Sequence, residues 1–308
     1  MSGTVDAADV APDDEVETRP KSAPGFQRRM PLDPGRTVVR VFLLAAVVYF
    51  LIPAYWLLVA STKSIGDLYD SPGFLFAGFH LWDNLVNLTK YDGGVYWRWL
   101  LNSAIYSGVG AILMTTVSIA AGYALAVYEF RAKTLVFGIT LGSMLIPQTV
   151  LAQPIYRLLV AIGLSNTYWG VLLPQIVFPF GVILAVVYAR SSLSREIVEA
   201  ARLDGASEWR IFRTIAVPLM IPGSVTILLF AFIGSWNNYL LPVLVLNDSS
   251  LWPVTVGLSG WNQSSVTIPG LQILTIIGAL MSILPLVVIF VSLQRYWKKG
   301  LDITGDRF

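Results

Sequence analysis

There is no cysteine among the 308 residues. That excludes disulfides, thiolate chemistry and a lipid-anchoring cysteine. Only one histidine is present, His80, so no second histidine can complete a metal site; we expect a solvated loop residue there. Charge is scarce as well. Charged side chains make up 13% of the chain and hydrophobic ones 55%, against roughly 25% charged in an ordinary soluble domain. A soluble fold could not cover its surface with so few polar groups, whereas a bilayer removes that need. The net charge is only +2, which gives no reason to expect nucleic acid as a partner. No GxxxxGK[ST] phosphate loop or other nucleotide signature occurs, so no catalytic residue, cofactor or metal site is assigned. The apolar runs also lack the conspicuous Asp, Glu or Lys of proton-coupled carriers. The driving force is therefore expected to come from elsewhere, although sodium coupling through carbonyls would leave little trace.

Six apolar runs are long enough to span, at 37–61, 99–127, 134–160, 167–190, 215–246 and 270–295, since about 20 residues cross the hydrocarbon core. The runs are continuous rather than alternating, which implies helices and not barrel strands. The fold class is thus all-α, a polytopic membrane protein with six transmembrane helices. Pro53, Pro147, Pro154, Pro174, Pro179 and Pro285 fall inside runs, and Pro218, Pro222 and Pro242 suggest that the fifth run is bent at its ends. Proline frees backbone carbonyls and kinks the axis. The third and fourth helices could therefore line a pathway, or the kinks could serve packing alone.

Orientation follows from Lys and Arg. With the N-terminus inside, 17 of them fall on the cytoplasmic side and four outside, namely Lys63, Lys90, Arg98 and Arg157. Both termini and the 191–214 loop are then cytoplasmic. Tyr55, Trp56, Tyr96, Trp97, Trp99, Tyr168, Trp169, Tyr296 and Trp297 fit interfacial belts. Residues 1–36 are acidic and poor in apolar groups, which predicts a disordered cytoplasmic tail. The first apolar run exceeds the 7–15 residues of a signal-peptide core, so an uncleaved first helix is expected.

The stretch 199–222, EAARLDGASEWRIFRTIAVPLMIP, is polar and helix-forming yet lies between apolar runs. Its order of Glu199, Ala200, Ala201, Asp204, Gly205, Phe212, Ile215, Pro218 and Pro222 resembles the EAA motif of permease subunits of bacterial ABC importers. The resemblance implies a type I importer architecture with a coupling loop at 191–218, inside a permease domain at 37–297 and before a C-terminal tail at 298–308. It also implies that this loop seats in a groove of an ATPase subunit. The small Ala200 and Ala201 allow close approach, Glu199 can accept hydrogen bonds, and Gly205 permits a turn. Either Ser207 or Asp204 could cap a second short helix over 208–216. Arg202, Arg210 and Arg213 could pair with the partner or with anionic lipid headgroups.

Further segments look like sugar-importing permeases: SWNNYLLPVLVL at 235–246, LQRYWKKGL at 293–301, MLIPQTVLAQPIYRLL at 144–159 and LNSAIYS at 101–107. The shape is similar to the shorter permease of a maltose-type importer, with a departure at Asp302–Phe308. The resemblance implies a complex with a homologous second permease, two ATP-binding subunits and an extracellular or periplasmic solute-binding protein, in a prokaryotic inner membrane. Neutral amides bond hydroxyls in both directions, and aromatic faces cover sugar rings. Asn237 and Asn238, beside Trp236 and Tyr239, are the leading pathway residues, with Gln148 and Gln153. Amides in membrane helices also join helices to one another, which is the alternative for each. The function expected is half of a translocation pathway for a di- or oligosaccharide. The alternatives are a permease for another neutral solute or a secondary carrier.

Overall fold

A computed structural model describes residues 34–305, with side chains for 35–294. The tail expected over 1–36 falls outside them up to position 33, as does the end of the C-terminal tail.

The chain is a succession of helices set by apolar runs and punctuated by Ser, Thr, Gly and Pro. Helix α1 (Pro34–Ser61) carries Pro53 without a break. It is followed by α2 (Ile65–Asp70), where Ser64 and Asp67 form a reciprocal capping box, and by α3 (Leu81–Lys90). A tight turn at Tyr91–Gly94, with positive φ at Asp92, Gly93 and Gly94, leads into α4 (Val95–Val127). Then come α5 (Lys133–Ser143), α6 (Gln148–Ala161), α7 (Tyr168–Gln175), α8 (Pro179–Ser192), α9 (Arg195–Leu203) and α10 (Glu208–Ile211). A π-helical turn at Phe212–Ala216 continues into α11 (Val217–Leu219), α12 (Ile221–Trp236), α13 (Leu240–Val245), α14 (Val254–Ser264) and α15 (Gly270–Gly305).

Among the described residues, three helical stretches are long and apolar enough to span alone, and six spans result if each bent helix pair counts as one. The bent pairs are α5 with α6 (105°), α7 with α8 (42°), and the α10–α11 stretch with α12 (77°). The third, fourth and fifth apolar runs are thus broken helices rather than single rods. Pro147 caps α6 and Pro179 opens α8, where a missing N–H costs nothing. The fifth run departs furthest from expectation. Its helix stops at Trp236, the chain turns through Asn237–Tyr239, and α13 follows.

Helix α4 is central and packs against both α8 and α12. Gly122 permits the α8 crossing, because an added Cβ would lie 2.3 Å from the Ala185 Cβ and 2.8 Å from its carbonyl carbon. Tyr123, Ala185, Ala189, Ala216, Met220 and Ile227 form a buried cluster near that end of α4. At the other end Tyr96, Trp99, Trp261, Leu271 and Ile277 form a second cluster, with Trp99 and Trp261 ring centroids 4.8 Å apart. Small residues at a crossing are what membrane helix packing selects. Tyr96 and Trp99, expected in an interfacial belt, are instead buried in the protein core because they pack against α14 and α15.

His80 is less free than its isolation in the sequence suggests. Its backbone N–H donates to the Thr62 carbonyl at 2.7 Å. Its ring nitrogens lie 3.8 Å from Asp67 and 3.6 Å from Asp83, and the Ser64 hydroxyl beside Asp67 holds that carboxyl below its usual range.

Candidate functional site

Two groups of side chains hold most of the residues singled out from the sequence. The first is the polar turn between α8 and α12. Ser194 caps α9 and Ser207 caps α10, each hydroxyl accepting from the backbone N–H three residues on. Asp204 ends α9 instead of starting the next helix, which settles the choice between the two capping candidates. Gly205 has φ +78 with no neighbour near a would-be Cβ. The constraint at this position is therefore backbone conformation and not space. Val198, Ala201 and Ile211 are buried together under the turn, with Ile215 against them. Glu199, Ala200 and Asp204 remain exposed.

The two small residues thus divide their work. Ala201 packs inward, and Ala200 lies on the open face. That face also presents Leu203, 89% exposed, and Trp209, 68% exposed. Trp209 belongs to the second short helix expected over 208–216, whereas Leu203 was not singled out from the sequence. A large apolar residue at the last position of a polar helix, next to a glycine turn, was the available signal. Phe212 packs its ring against Tyr123 at 5.1 Å and Trp209 at 5.6 Å, so it anchors the turn to α4. Pro218 lies in α11, two residues before the bend at Met220.

Arg202 reaches across the turn to Glu208, and Tyr128 beyond the end of α4 donates to the same carboxylate at 2.7 Å. The Arg202 guanidinium, then the Tyr128 hydroxyl, hold the Glu208 carboxyl below its usual range. The same pairing raises Arg202. Glu129 accepts from Lys133 at 3.0 Å and lies 3.5 Å from Arg195 at the start of α9. Arg202 is thus committed within the chain, while Arg210 and Arg213 are exposed.

The second group surrounds the break after α12. Trp236 is buried and stacks on Phe232 at 5.7 Å. The Asn237 amide donates to the Ile233 carbonyl of its own helix at 2.9 Å. The Asn238 backbone carbonyl accepts from the Thr255 hydroxyl at 2.9 Å. Ser259 donates to the Tyr239 hydroxyl at 3.3 Å and accepts from Gln263 at 3.2 Å. Thr255, Ser259 and Gln263, spaced by four on α14, thereby face the break. The sequence reading missed them because α14 does not stand out as a span. Gln148 and Gln153 are exposed on α6. Among the described residues no hydrogen bond joins either amide to the 236–239 group. Asn102 is a joining residue, buried and bonded to the Ser250 and Trp252 carbonyls and to Tyr168. No cluster of three or more His, Asp or Glu side chains able to hold a metal occurs among the described residues.

Broken apolar helix pairs around one long central helix, with a capped polar turn between two of them, define an all-helical polytopic membrane fold. A crystal structure of a bacterial ABC transporter involved in alginate import has this fold. It superimposes with a TM-score of 0.72 at 22% identity, covering 89% of this chain and all of that one. The family model for the binding-protein-dependent transport system inner membrane component matches residues 117–302. Relatives of similar length agree. The arabinooligosaccharides transport system permease protein AraQ of Bacillus subtilis is 32% identical over 88% of this chain and 95% of its own. The melibiose/raffinose/stachyose import permease protein MelC of the same organism is 32% identical over 85% and 94%. The sn-glycerol-3-phosphate transport system permease protein UgpE of Salmonella typhi is 28% identical over 84% and 93%. This chain belongs to the family of binding-protein-dependent transport system inner membrane components. It is a multi-pass inner-membrane permease subunit of a binding-protein-dependent ABC importer, and it is not itself catalytic.

Proposed function

We propose that the chain forms half of a translocation pathway for a di- or oligosaccharide and takes its driving force through the α9–α10 turn. The observation that carries the coupling half is the turn itself. Gly205 in the left-handed region and the Arg202–Glu208 bridge fix two short helices while Leu203, Trp209, Glu199 and Ala200 stay open. Such a preformed knob can enter a groove of a cytoplasmic ATPase with little ordering cost. The complex would hold a homologous second permease, two ATP-binding subunits and a solute-binding protein. Both termini and the turn lie on the cytoplasmic side, as the Lys and Arg distribution indicates.

A sugar cargo is supported by the relatives' names and by the chemistry near the break. Asn237, Asn238, Tyr239, Ser259 and Gln263 supply neutral donors and acceptors, which suit hydroxyl groups. The glycerol-3-phosphate relative makes an anionic solute the second reading. None of these five residues is a cation able to meet a phosphate, so the neutral cargo is preferred. The test is reconstitution of the complete importer with radiolabelled oligosaccharides and sn-glycerol 3-phosphate in parallel. Uptake of the phosphate alone, or uptake without any ATPase subunit, would sink the proposal.

A further inference from the structure

Two sets of hydrogen bonds sit at opposite ends of α4. Toward its start, α4 side chains take up four consecutive carbonyls of the segment before α14. Trp99 Nε1 donates to Ser249 at 2.8 Å, and Arg98 Nε and Asn102 Nδ2 donate to Ser250 at 3.0 and 2.9 Å. The Tyr106 hydroxyl donates to Leu251 at 2.9 Å, and Asn102 Nδ2 donates to Trp252 at 3.0 Å. The Val254 N–H closes the series by donating to the Ser103 hydroxyl at 2.8 Å. Just beyond its other end, Tyr128 donates to Glu208 at the start of α10, and Glu129 pairs with Arg195 at the start of α9.

From Asn102 to Val127 an unbroken helix rises about 38 Å at 1.5 Å per residue. That exceeds the ~30 Å hydrocarbon core, so the two sets lie on opposite sides of the membrane whichever way the chain is oriented. The covalent routes from the turn to the same bundle each pass a joint. One passes the extended joint at Leu193 between α8 and α9. The other passes the 77° bend at Met220 before α12. Side-chain contacts to α4 bypass both joints. Tyr128 is itself extended at the α4 C-cap, but Phe212 packs against Tyr123 inside the helix and ties the turn to α4 ahead of that residue.

We propose that α4 is a strut. Its Tyr128–Glu129 end grips the α9–α10 turn, its Arg98–Tyr106 end grips the 249–254 segment, and the two loops move as one body across the membrane. Tyr128 and Glu129 are then positioning residues for coupling, and Asn102 has the same role at the far end. The strut rests on the reading of the turn as the ATPase docking element. A displacement imposed on the turn reaches the opposite surface without passing through the substrate group at 237–239.

The chain's lack of cysteine allows a direct test. Asn247→Cys places a thiol on the exposed residue just before the gripped segment. In the reconstituted permease–ATPase complex without binding protein, the rate of maleimide labelling is measured with and without vanadate-trapped nucleotide. With α4 intact, trapping should change the rate several-fold. In Tyr128→Phe/Glu129→Gln, and separately in Asn102→Leu, the ratio should fall to one. Co-purification of the ATPase subunits should be unaltered in the first of these. Tyr128→Phe alone keeps the ring contacts and should give an intermediate ratio, which serves if the double variant assembles poorly. A nucleotide-dependent ratio preserved in all three variants overturns the strut while leaving ATPase docking intact. A ratio of one in the parent chain, with trapped nucleotide measured on the same sample, overturns it as well. Absence of ATPase from the parent complex defeats the docking reading itself.

Discussion

Arg202 and Glu208 face each other across the Gly205 turn and are joined by two hydrogen bonds, Nε to Oε1 at 2.7 Å and Nη2 to Oε2 at 3.2 Å. The fork sets the angle between α9 and α10, and a single glycine supplies the reversal between them. Burial of Val198, Ala201 and Ile211 beneath the turn holds the pair down. The same carboxylate also takes the Tyr128 hydroxyl, so the pose of the turn and its link to the membrane bundle share one group.

Replacing Gly205 should expose that dependence. At φ +78 a side chain costs about 1–2 kcal/mol, most for a β-branched residue. Gly205→Val should insert into the membrane normally, yet lose ATPase co-purification or uptake, whereas Gly205→Asn should retain most of both. Full uptake and assembly in the valine variant would show that the turn is not the docking element.

The ion pair makes a pH prediction. The Glu208 carboxyl is depressed below its usual value, first by Arg202 and then by Tyr128. A depressed carboxylate contributes stability that is fully present above its ordinary value of about 4.3 and is lost as pH falls through the lower folded value. The turn should therefore be indifferent to pH between about 6 and 8. Below the ordinary carboxylate value it should loosen. Limited proteolysis of purified complex from pH 7 to about pH 3, with an acid-active protease at the low end, should reveal new cleavage near 204–206 at the acid end. In Glu208→Gln that cleavage should already be present at pH 7, and an identical pH profile for both proteins would contradict the assignment.

Orientation can be read in the same cysteine-free background. Val266 is 87% exposed between α14 and α15, and Ser207 lies at the α10 cap. An impermeant thiol reagent applied to cells stripped of any outer barrier should label Val266→Cys. It should reach Ser207→Cys only after the membrane is permeabilised. The reverse pattern would invert the proposed topology.

Much of this architecture is legible in the sequence, and the part that is not has a physical reason. Apolar runs mark spans because the bilayer demands continuous hydrophobic length. They do not mark breaks, since Pro53, Pro154, Pro174 and Pro285 remain inside helices while Pro147 and Pro179 begin them. Whether a proline bends a helix depends on what re-satisfies the freed carbonyls, a tertiary property. Gly205 is legible because left-handed backbone is written in residue type. The Tyr128–Glu208 bond joins residues 80 apart, and no local pattern announces it. The same limit hid Ser259 and Gln263, whose relevance appears only once α14 is seen against the break after Trp236.

That break yields the sharpest test of cargo contact. Asn237 already bonds its own helix, so its amide is partly committed, whereas Tyr239 and Gln263 share Ser259 through exposed bonds. A hydroxyl left unpaired in a desolvated pathway costs about 1–3 kcal/mol, or roughly 5- to 150-fold in a rate or affinity governed by that contact. Asn238→Ala, Tyr239→Phe and Gln263→Ala should each lower sugar uptake per assembled complex by at least several-fold. Asn237→Ala should act more through expression, by loosening the end of α12. ATPase co-purification should stay constant in all four, because the turn at 195–211 lies beyond the Met220 bend. If uptake per assembled complex is unchanged in all three of Asn238→Ala, Tyr239→Phe and Gln263→Ala while thermal stability falls in the last two, the Tyr239 and Gln263 side chains only join α14 to the break, and the pathway runs elsewhere.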